Sequence, residues 1–483
     1  MTDHPPTPFV AGDNDPTPPR GVRHSRGSSD APNSDDRGVE EWDEPNYLFR
    51  RGLVVGGVVA AIAAVAIGAG QLLGGDSSDS TSSAAAAEWN TIVVLTSDEV
   101  TLFDDGGDEV STFEASDDLL DAQSLVAGNV LVTMNDAGRI IQTDLSDETQ
   151  RRGRSGPDES LRLSPDNPQI AVSGPDTGGD VTLIDTRDRS LVSVADIAGL
   201  DDPLIFGDQV IVNQDGTHAA VPVPNAFQSV VIDLEQQTSQ ARAGRVIALD
   251  DEQIVTEQPA GDRSELEFYS LAGERLGSVD VPAPRATLLR SDGTLLSVAE
   301  NGTISTVDAD GSFDDINALV DPEGRTVDVT SGQRVADGDR LLVGAGRNTY
   351  VIDADGNQLG VAAGEAMPTP SGGARCAVIT ATEPTSSTSV IDLDTGAILA
   401  GVEGSFATDT SYDGCTVSFQ GTGAQLFVDG ELISVDVDSI AAVAPDGAGY
   451  VALADRESRY VTLGDDSTAL ADSPAVVHFG ERR

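Results

Sequence analysis

Short runs of alternating apolar and polar residues recur about every forty residues from Asp104 onward, and each run ends at a polar turn. The segments VIDADG (351–356) and VIDLDTG (390–396) show the pattern most clearly. Alternation with a period of two is typical of β-strands, and a repeat of this length is typical of propellers and solenoids. The residue that ends each run is Asp104, Asp144, Asp185, Asp233, Ser270, Asp308, Asp353, Asp392 or Asp429, with Gly464 at a tenth such place.

A second series of turns lies in phase with the first. Its members share an Asp, in most cases followed by Gly and then by an apolar run, and they are centred on Asp166, Asp215, Asp292, Asp337, Asp413 and Asp446. Asp-Gly between two β-type runs indicates a tight turn, because Gly adopts the positive φ that such turns require. One period therefore predicts a four-stranded antiparallel meander, with one turn series after the first strand and the other after the third.

This repeat predicts an all-β fold, a β-propeller of four-stranded antiparallel blades. A single meander cannot bury both of its faces, and closing the array into a ring removes the exposed edges. The opening unit, from Trp89 to about Phe113, lacks room for its first strand, and the run 475–479 at the C-terminus is suited to supply it. Ten repeats are counted, but propellers usually have four to eight blades, so about eight are expected. An open stack of small sheets is the alternative.

Residues 53–73 form the longest apolar segment of the chain, with 21 residues and no charge. Their length suits a membrane-spanning helix, which needs about 20 residues. We therefore expect four segments: a disordered tail (1–50), a transmembrane helix (51–74), a flexible spacer (75–88) and the propeller (89–483). A cleaved secretory signal and a buried core helix are the alternatives for the apolar segment.

The placement of arginine predicts the orientation of this single-pass protein. Arg37, Arg50 and Arg51 precede the apolar segment, and the next basic residue after it is Arg139. By the positive-inside rule, the N-terminus is then cytoplasmic and the propeller is extracellular, in the cell envelope.

Some turns resemble those of known propeller families. The Ser-Pro-Asp-Asn turn at 164–167 resembles the turns of TolB-type repeats, and Asp-Leu-Asp-Thr-Gly at 392–396 resembles the Asp-x-x-Thr-Gly turn of pyrroloquinoline-quinone-type repeats. The resemblance covers roughly residues 89–483 and consists of short turns only. In the quinone-type repeat a Trp follows the turn and docks between blades, whereas this chain has Ala400 at that position. The resemblance therefore implies a propeller of the membrane-anchored bacterial kind but no quinone site, and no cofactor is predicted.

The net charge limits the classes of partner. The first 51 residues hold ten acidic residues and six Arg, and the remaining 71 acidic residues and 22 Arg give the rest of the chain a net charge of about −49. Nucleic acid is not a suitable partner, because phosphate binding requires a basic surface. Cations, cationic peptides and neutral polymers remain possible ligands of this surface.

The two cysteines, Cys376 and Cys415, stand 39 residues apart, which is one repeat. Both should open the same strand in neighbouring blades. An even number of cysteines outside the cytoplasm favours a disulfide, so we predict a Cys376–Cys415 bridge between two blades.

The search for catalytic groups finds no convincing set. The four histidines (His4, His24, His218 and His478) are scattered and match neither a zinc site nor a triad. Six turn carboxylates are weak candidates for a calcium site: Asp308, Asp310, Asp353, Asp355, Asp392 and Asp394. Calcium takes 6 to 8 oxygen ligands, and these loops lack the third acid and the closing Glu, so Asp side chains that bond their own turns are the simpler interpretation.

Two functions remain in view. The first is a non-catalytic binding or scaffold module, anchored in the membrane, that contacts a protein or cell-wall component through propeller loops. The alternative is a propeller enzyme, lactonase-like or a hydrolase, with a carboxylate or metal site in the central channel. A cluster of acids or histidines on the axis would favour the enzyme, and a channel lined by small and apolar side chains would favour the binding module.

Overall fold

The structure is a computed structural model. It describes residues 89–480 except 98, 115–121, 158, 165, 227, 336–338, 368–373, 383–385, 422, 455–456, 464–466 and 472–474. The predicted tail, transmembrane helix and spacer lie outside these residues. Within the part of the chain described, no helix is long and apolar enough to span a membrane.

The described chain forms ten four-stranded antiparallel sheets, which are the blades of a β-propeller. In chain order, blade 1 holds β1 (Thr91–Leu95), β2 (Glu99–Asp104) and β3 (Glu109–Glu114). Blade 2 holds β4 (Gln123–Ala127), β5 (Val130–Met134), β6 (Arg139–Asp144) and β7 (Gln150–Arg154). Blade 3 holds β8 (Ser160–Leu163), β9 (Ile170–Gly174), β10 (Thr182–Asp185) and β11 (Ser190–Ser193). Blade 4 holds β12 (Ile211–Val212), β13 (His218–Val223), β14 (Gln228–Asp233) and β15 (Thr238–Ala243). Blade 5 holds β16 (Arg245–Leu249), β17 (Gln253–Ala260), β18 (Arg263–Ser270) and β19 (Arg275–Pro282).

The second half continues the same order. Blade 6 holds β20 (Pro284–Leu289), β21 (Leu295–Ala299), β22 (Thr303–Val307) and β23 (Phe313–Ala318). Blade 7 holds β24 (Val329–Val335), β25 (Arg340–Ala345), β26 (Asn348–Asp353) and β27 (Gln358–Ala363). Blade 8 holds β28 (Glu365–Ala366), β29 (Cys376–Ala381), β30 (Ser387–Asp392) and β31 (Ile398–Glu403). Blade 9 holds β32 (Phe406–Thr410), β33 (Val417–Gln420), β34 (Ala424–Val428) and β35 (Glu431–Val435). Blade 10 holds β36 (Ser439–Val443), β37 (Gly449–Ala454), β38 (Glu457–Thr462) and β39 (Ser467–Ala471), and β40 (Val476–Gly480) ends the described chain.

The count of ten repeats is confirmed, and the estimate of about eight blades is too low. Both turn series stand where the repeat predicted them. The described members of the Asp166 series connect the first and second strands of a blade, and the described members of the Asp104 series follow the third strand. Because neighbouring strands run antiparallel, both series of turns lie at the same end of the strands in every blade. They therefore lie on one face of the ring, which we call the turn face. The expected positions at Asp337 and Gly464 lie outside the described residues.

Strand composition changes from the inside of a blade to its outside. The second strand is the most apolar: β9 (IAVSG) and β21 (LLSVA) are buried at every residue. The fourth strand is polar and exposed, as in β7 (QRRGR). An apolar strand buried on both of its faces needs a neighbouring sheet on each side, so this gradient makes the blades stack.

The C-terminal strand closes the ring, as the sequence predicted. β40 pairs antiparallel with β1, from Thr91 opposite Gly480 to Leu95 opposite Val476, and completes blade 1. His478 of this strand also reaches blade 2, where its Nε2 lies 2.8 Å from the Ser124 Oγ. Burial lowers the pKa of His478 to about 4, so the imidazole is neutral at neutral pH.

Hydrogen bonds between successive turns join neighbouring blades on the turn face. The Asn167 side-chain amide donates to the Gln214 carbonyl (2.9 Å) between blades 3 and 4, and the Gln253 side-chain amide donates to the Gly293 carbonyl (2.6 Å) between blades 5 and 6. The backbone N–H of Tyr412 donates to the Pro445 carbonyl (2.9 Å) between blades 9 and 10. These bonds fix the spacing of the blades near the axis.

Helical structure is limited to short connections among the described residues. The helix α1 (Val194–Ala198) begins at Ser193, whose Oγ accepts a hydrogen bond from the Asp196 N–H, and ends at Gly199. Two 3₁₀ turns, Gly207–Gln209 and Pro224–Ala226, flank the inner strands of blade 4.

The predicted disulfide is present and joins blades 8 and 9. Cys376 and Cys415 are bridged with their Cα atoms 5.0 Å apart, and no free cysteine occurs in the chain. Gly414, directly before Cys415, has φ 73°, and a Cβ there would lie 2.3 Å from the Cys376 carbonyl oxygen. Glycine is therefore required at the turn that brings the two cysteines together.

Replacement of both cysteines by alanine is expected to destabilise the ring by about 2–4 kcal/mol, because the cross-link no longer restricts the unfolded chain. Urea unfolding followed by circular dichroism measures the change. Wild-type protein treated with reductant is the matched control and should unfold at the same urea concentration as the double variant. A double variant as stable as the oxidised wild type would show that the bridge is not stabilising.

Candidate functional site

A cavity with a volume of about 940 Å³ lies on the propeller axis. Its walls come from the first strands of blades 2–7 and from β40, with Tyr412 and Pro445 added by the turns of blades 9 and 10. First strands of neighbouring blades contact one another, which places them innermost in the ring. A cavity of this size falls in the range of small-molecule sites, roughly 300–1,000 Å³.

Much of the cavity wall is small or apolar. Its nonpolar contributors include Val126, Gly128, Leu163, Pro168, Val172, Val210, Ile211, Pro222, Pro284, Ala286 and Gly332. An aromatic group stands at one side, where the Trp89 ring packs edge-on against Phe479 (centroids 4.9 Å apart) and Tyr460 (5.8 Å). Trp89 and Phe479 themselves line the cavity. This wall offers a surface for the apolar part of a ligand.

Four arginines line the same cavity: Arg162, Arg245, Arg285 and Arg334. Arg245 pairs with Glu257 at 2.6 Å, and Arg285 pairs with Glu300 at 2.5 Å. Glu257 is buried and also accepts a hydrogen bond from the Ser264 hydroxyl. These two guanidinium groups are therefore neutralised within their own blades.

Arg334 and Asp166 form an ion pair across the channel. Their Nη2 and Oδ1 atoms are 2.6 Å apart, although one residue belongs to blade 7 and the other to blade 3. Asp166 Oδ2 also accepts the backbone N–H of Val212 in blade 4 at 3.2 Å. The pair holds non-adjacent blades together and narrows the opening that a ring of ten blades would otherwise leave.

Arg162 differs from the other three arginines. Within the described residues it forms no ion pair, and its one side-chain hydrogen bond, from Nη2 to the Ser160 Oγ, is 3.4 Å long. The guanidinium lies against Gly207, where a Cβ would stand 2.8 Å from Nη2. Asp208 also lines the cavity, but no ion pair joins it to Arg162.

The six predicted metal candidates lie in three separate turns of blades 6, 7 and 8, not in the channel. Asp353 Oδ1 accepts the backbone N–H groups of Asp355 (3.0 Å) and Asn357 (2.8 Å), and Asp392 Oδ1 accepts that of Thr395 (2.7 Å). Asp308 accepts hydroxyl groups, from Thr294 and Ser312 at 2.8 Å each.

The remaining three candidates also have partners within the protein. Asp310 accepts the Ser312 N–H at 2.9 Å, which lowers the pKa of its carboxyl group. Asp355 and Asp394 lie 3.6 Å and 3.0 Å from Arg290 and Arg340. Among the residues with described positions, no group of three or more His, Cys, Asp or Glu side chains is arranged to hold a metal ion.

The channel arginines were missed in the sequence, although one signal for them exists. Arg245 and Arg285 are 40 residues apart, which is one repeat, and both stand at the start of a first strand. Arg162 lies two repeats before Arg245 in the same strand type. The Arg334–Asp166 pair had no such signal, because the spacing along the chain does not show which blades face each other across the axis.

No family model and no curated protein matches the chain. The chain is similar to solved structures at low identity. A dihydro-heme d1 dehydrogenase, NirN, in complex with DHE has 17% identity over 68% of this chain and 76% of that chain, with a TM-score of 0.39. A eukaryotic initiation factor has 12% identity, with 82% and 100% covered and a TM-score of 0.46. The computationally designed Ika8 protein has 15% identity, with 74% and 95% covered and a TM-score of 0.40. The TolB-type or quinone-type identity is not confirmed.

Asp409 couples the innermost strands of blades 9 and 10. It follows a bulge in β32, where Ala407 pairs with Phe419 and Asp409 pairs with Ser418. Its Oδ2 accepts the backbone N–H of Val443 in β36 at 2.7 Å. Burial raises the pKa of Asp409 to about 6, against the opposing effect of that hydrogen bond.

The variant Asp409→Asn is expected to be more stable than the wild type above pH 6, by about 1–2 kcal/mol, because it carries no desolvated charge. The carboxyl group of the folded protein binds its proton more tightly than that of the unfolded chain. Its contribution to stability is therefore complete below about pH 4 and lost as the pH rises to about 6. Urea unfolding of both proteins at pH 4, 5, 6 and 7 tests this, and a stability difference that does not change with pH would contradict it.

Proposed function

We propose that this protein is a non-catalytic binding module of the cell envelope, anchored by residues 51–74 with its propeller outside the membrane. The observation that carries the proposal is the axial cavity, which combines an apolar wall, an aromatic group and arginines in a frame of ten blades. Its partner is a protein or cell-wall component that contacts the propeller loops, and a small group of that partner enters the cavity.

The rigidity of the ring supports recognition. The blades that line the cavity are fixed by hydrogen bonds between turns, by the Arg334–Asp166 pair and by the pairing of β40 with β1. A binding surface held in this way loses little conformational entropy when the ligand enters.

The chemistry of the channel wall favours binding over the enzyme alternative. An enzyme of the lactonase or hydrolase type would need acids, histidines or a metal that converge on the axis. Among the described residues of the cavity wall, the acids are Asp166 and Asp208, and Asp166 is neutralised by Arg334. These two acids do not converge with a histidine in the described wall, so the wall is better suited to binding a ligand than to acid–base chemistry.

Site-specific photocrosslinking in intact cells tests the binding function. A photoreactive residue at Gln333, which lines the cavity, should form a discrete adduct at least about tenfold more abundant than the same residue at Leu276, which is exposed on the outer strand of blade 5. A chain that lacks residues 89–483 is the second control in co-purification after detergent extraction. Equal labelling at Gln333 and Leu276, with no component enriched over the truncated chain, would overturn the proposal.

The orientation has its own test. Protease added outside intact cells is expected to degrade the propeller and to spare residues 1–50, because the arginine placement predicts a cytoplasmic tail. Epitope tags at the two ends of the chain, followed by immunoblotting, report which part survives. Loss of the N-terminal tag with an intact propeller would contradict the predicted orientation. The outcome of this experiment does not depend on what the cavity binds.

A further inference from the structure

Two residues that line the axial cavity each carry a buried hydrogen-bond donor without an acceptor. They are the Nε1–H of Trp89 and the Nε–H of Arg162. The other unsatisfied buried side-chain atoms of the described structure, on Gln142, Arg242, Thr256, Tyr350 and Ser458, do not line the cavity. Because both groups can only donate, the partner that each lacks is an acceptor atom.

The charge of the missing partner follows from the arginines. Arg245, Arg285 and Arg334 each have a carboxylate within 2.6 Å, whereas Arg162 has none among the described residues. A half-buried guanidinium without a counter-ion is unfavourable, and a ligand with a negative oxygen would remove that cost. The planar guanidinium suits a carboxylate or a phosphate, whose oxygens accept two parallel hydrogen bonds.

The rest of the cavity limits the size and charge of the ligand. The wall beside Trp89 and Phe479 is aromatic, so it suits an apolar or aromatic body. The sequence beyond residue 51 carries a net charge of about −49, which repels polyanions as they approach. A ligand with a single anionic group gains the contact with Arg162 at the smallest electrostatic cost.

We propose that the axial cavity binds a small ligand in which one oxyanion group, a carboxylate or a phosphate ester, is attached to an apolar or aromatic body. Arg162 receives the oxyanion, and the aromatic wall at Trp89 receives the body. This inference rests on the proposed binding function and names the chemical class of the ligand.

Tryptophan fluorescence of the full chain tests the inference directly. The chain has two tryptophans, so Trp42→Phe leaves Trp89, which lines the cavity, as the reporter. The probes are phenylacetate, phenyl phosphate and the neutral phenylacetamide, which matches phenylacetate in shape. We expect a saturable change with at least one of the two anions below about 20 mM, and at least about tenfold weaker binding of phenylacetamide. Phenylacetate and phenyl phosphate distinguish the carboxylate from the phosphate ester.

Three variants in the Trp42→Phe background locate the binding group. Arg162→Gln should weaken anion binding at least about tenfold, because the charged fork is lost. Gly207→Ala keeps the charge but displaces the guanidinium, since its Cβ would lie 2.8 Å from Arg162 Nη2, and should also weaken binding. Arg152→Gln, at an exposed position of the outer strand β7, is the matched control and should bind as the parent does.

Three results would each overturn the inference. They are equal binding of phenylacetamide and phenylacetate, anion binding unchanged by Arg162→Gln, and no saturable response to either anion. Circular dichroism of each variant confirms that loss of binding is not loss of fold. Failure of the inference is distinguishable from failure of the proposed function. An adduct at Gln333 without oxyanion binding would support the binding function and contradict the inference. Oxyanion binding without any adduct or enriched component would contradict only the proposed envelope partner.

Discussion

Burial of each blade between two neighbours is the constraint on which the rest of the structure depends. The second strands, such as β9 and β21, are buried at every residue, so a blade with one free face would expose an apolar sheet. Stacking solves this for the interior blades, and the pairing of β40 with β1 solves it for the two ends of the array. The polar fourth strands then become the outer surface. Ring closure is thus a consequence of strand composition, and the axial cavity is a consequence of ring closure.

The central channel of a ten-bladed ring is wider than that of a smaller propeller. Side chains reduce that width here. The Arg334–Asp166 pair joins blades 3 and 7, and the turns that carry Tyr412 and Pro445 reach the same cavity. The opening is therefore occupied by charged and aromatic groups that are anchored in different blades. This arrangement makes the chemistry of the site depend on the closed ring, because no single blade contains it.

The sequence predicted the local features of this fold well and its long-range features poorly. The Asp-Gly turns and the strand order follow from residues within one repeat, the bridge between Cys376 and Cys415 follows from residues one repeat apart, and each is confirmed. The expectation of about eight blades failed because it weighed the usual size range above the ten repeats that were present. Asp353 and Asp392 bond the backbone of their own turns, as local chemistry suggested. The Arg334–Asp166 pair spans 168 residues, and no periodicity in the chain indicates that separation.

The acidic surface and the arginines of the cavity act over different distances. At physiological ionic strength, exposed charges are screened beyond about 8 Å, so the turn carboxylates influence what approaches the ring more than what is bound inside it. Inside the cavity the apolar wall lowers the dielectric, and the guanidinium of Arg162 interacts more strongly with an acceptor than it would in water. Net charge therefore predicts only the long-range behaviour of this protein, which is repulsion of polyanions. The preference of the cavity is set by the few donors that the ring brings together on its axis, and it has the opposite sign.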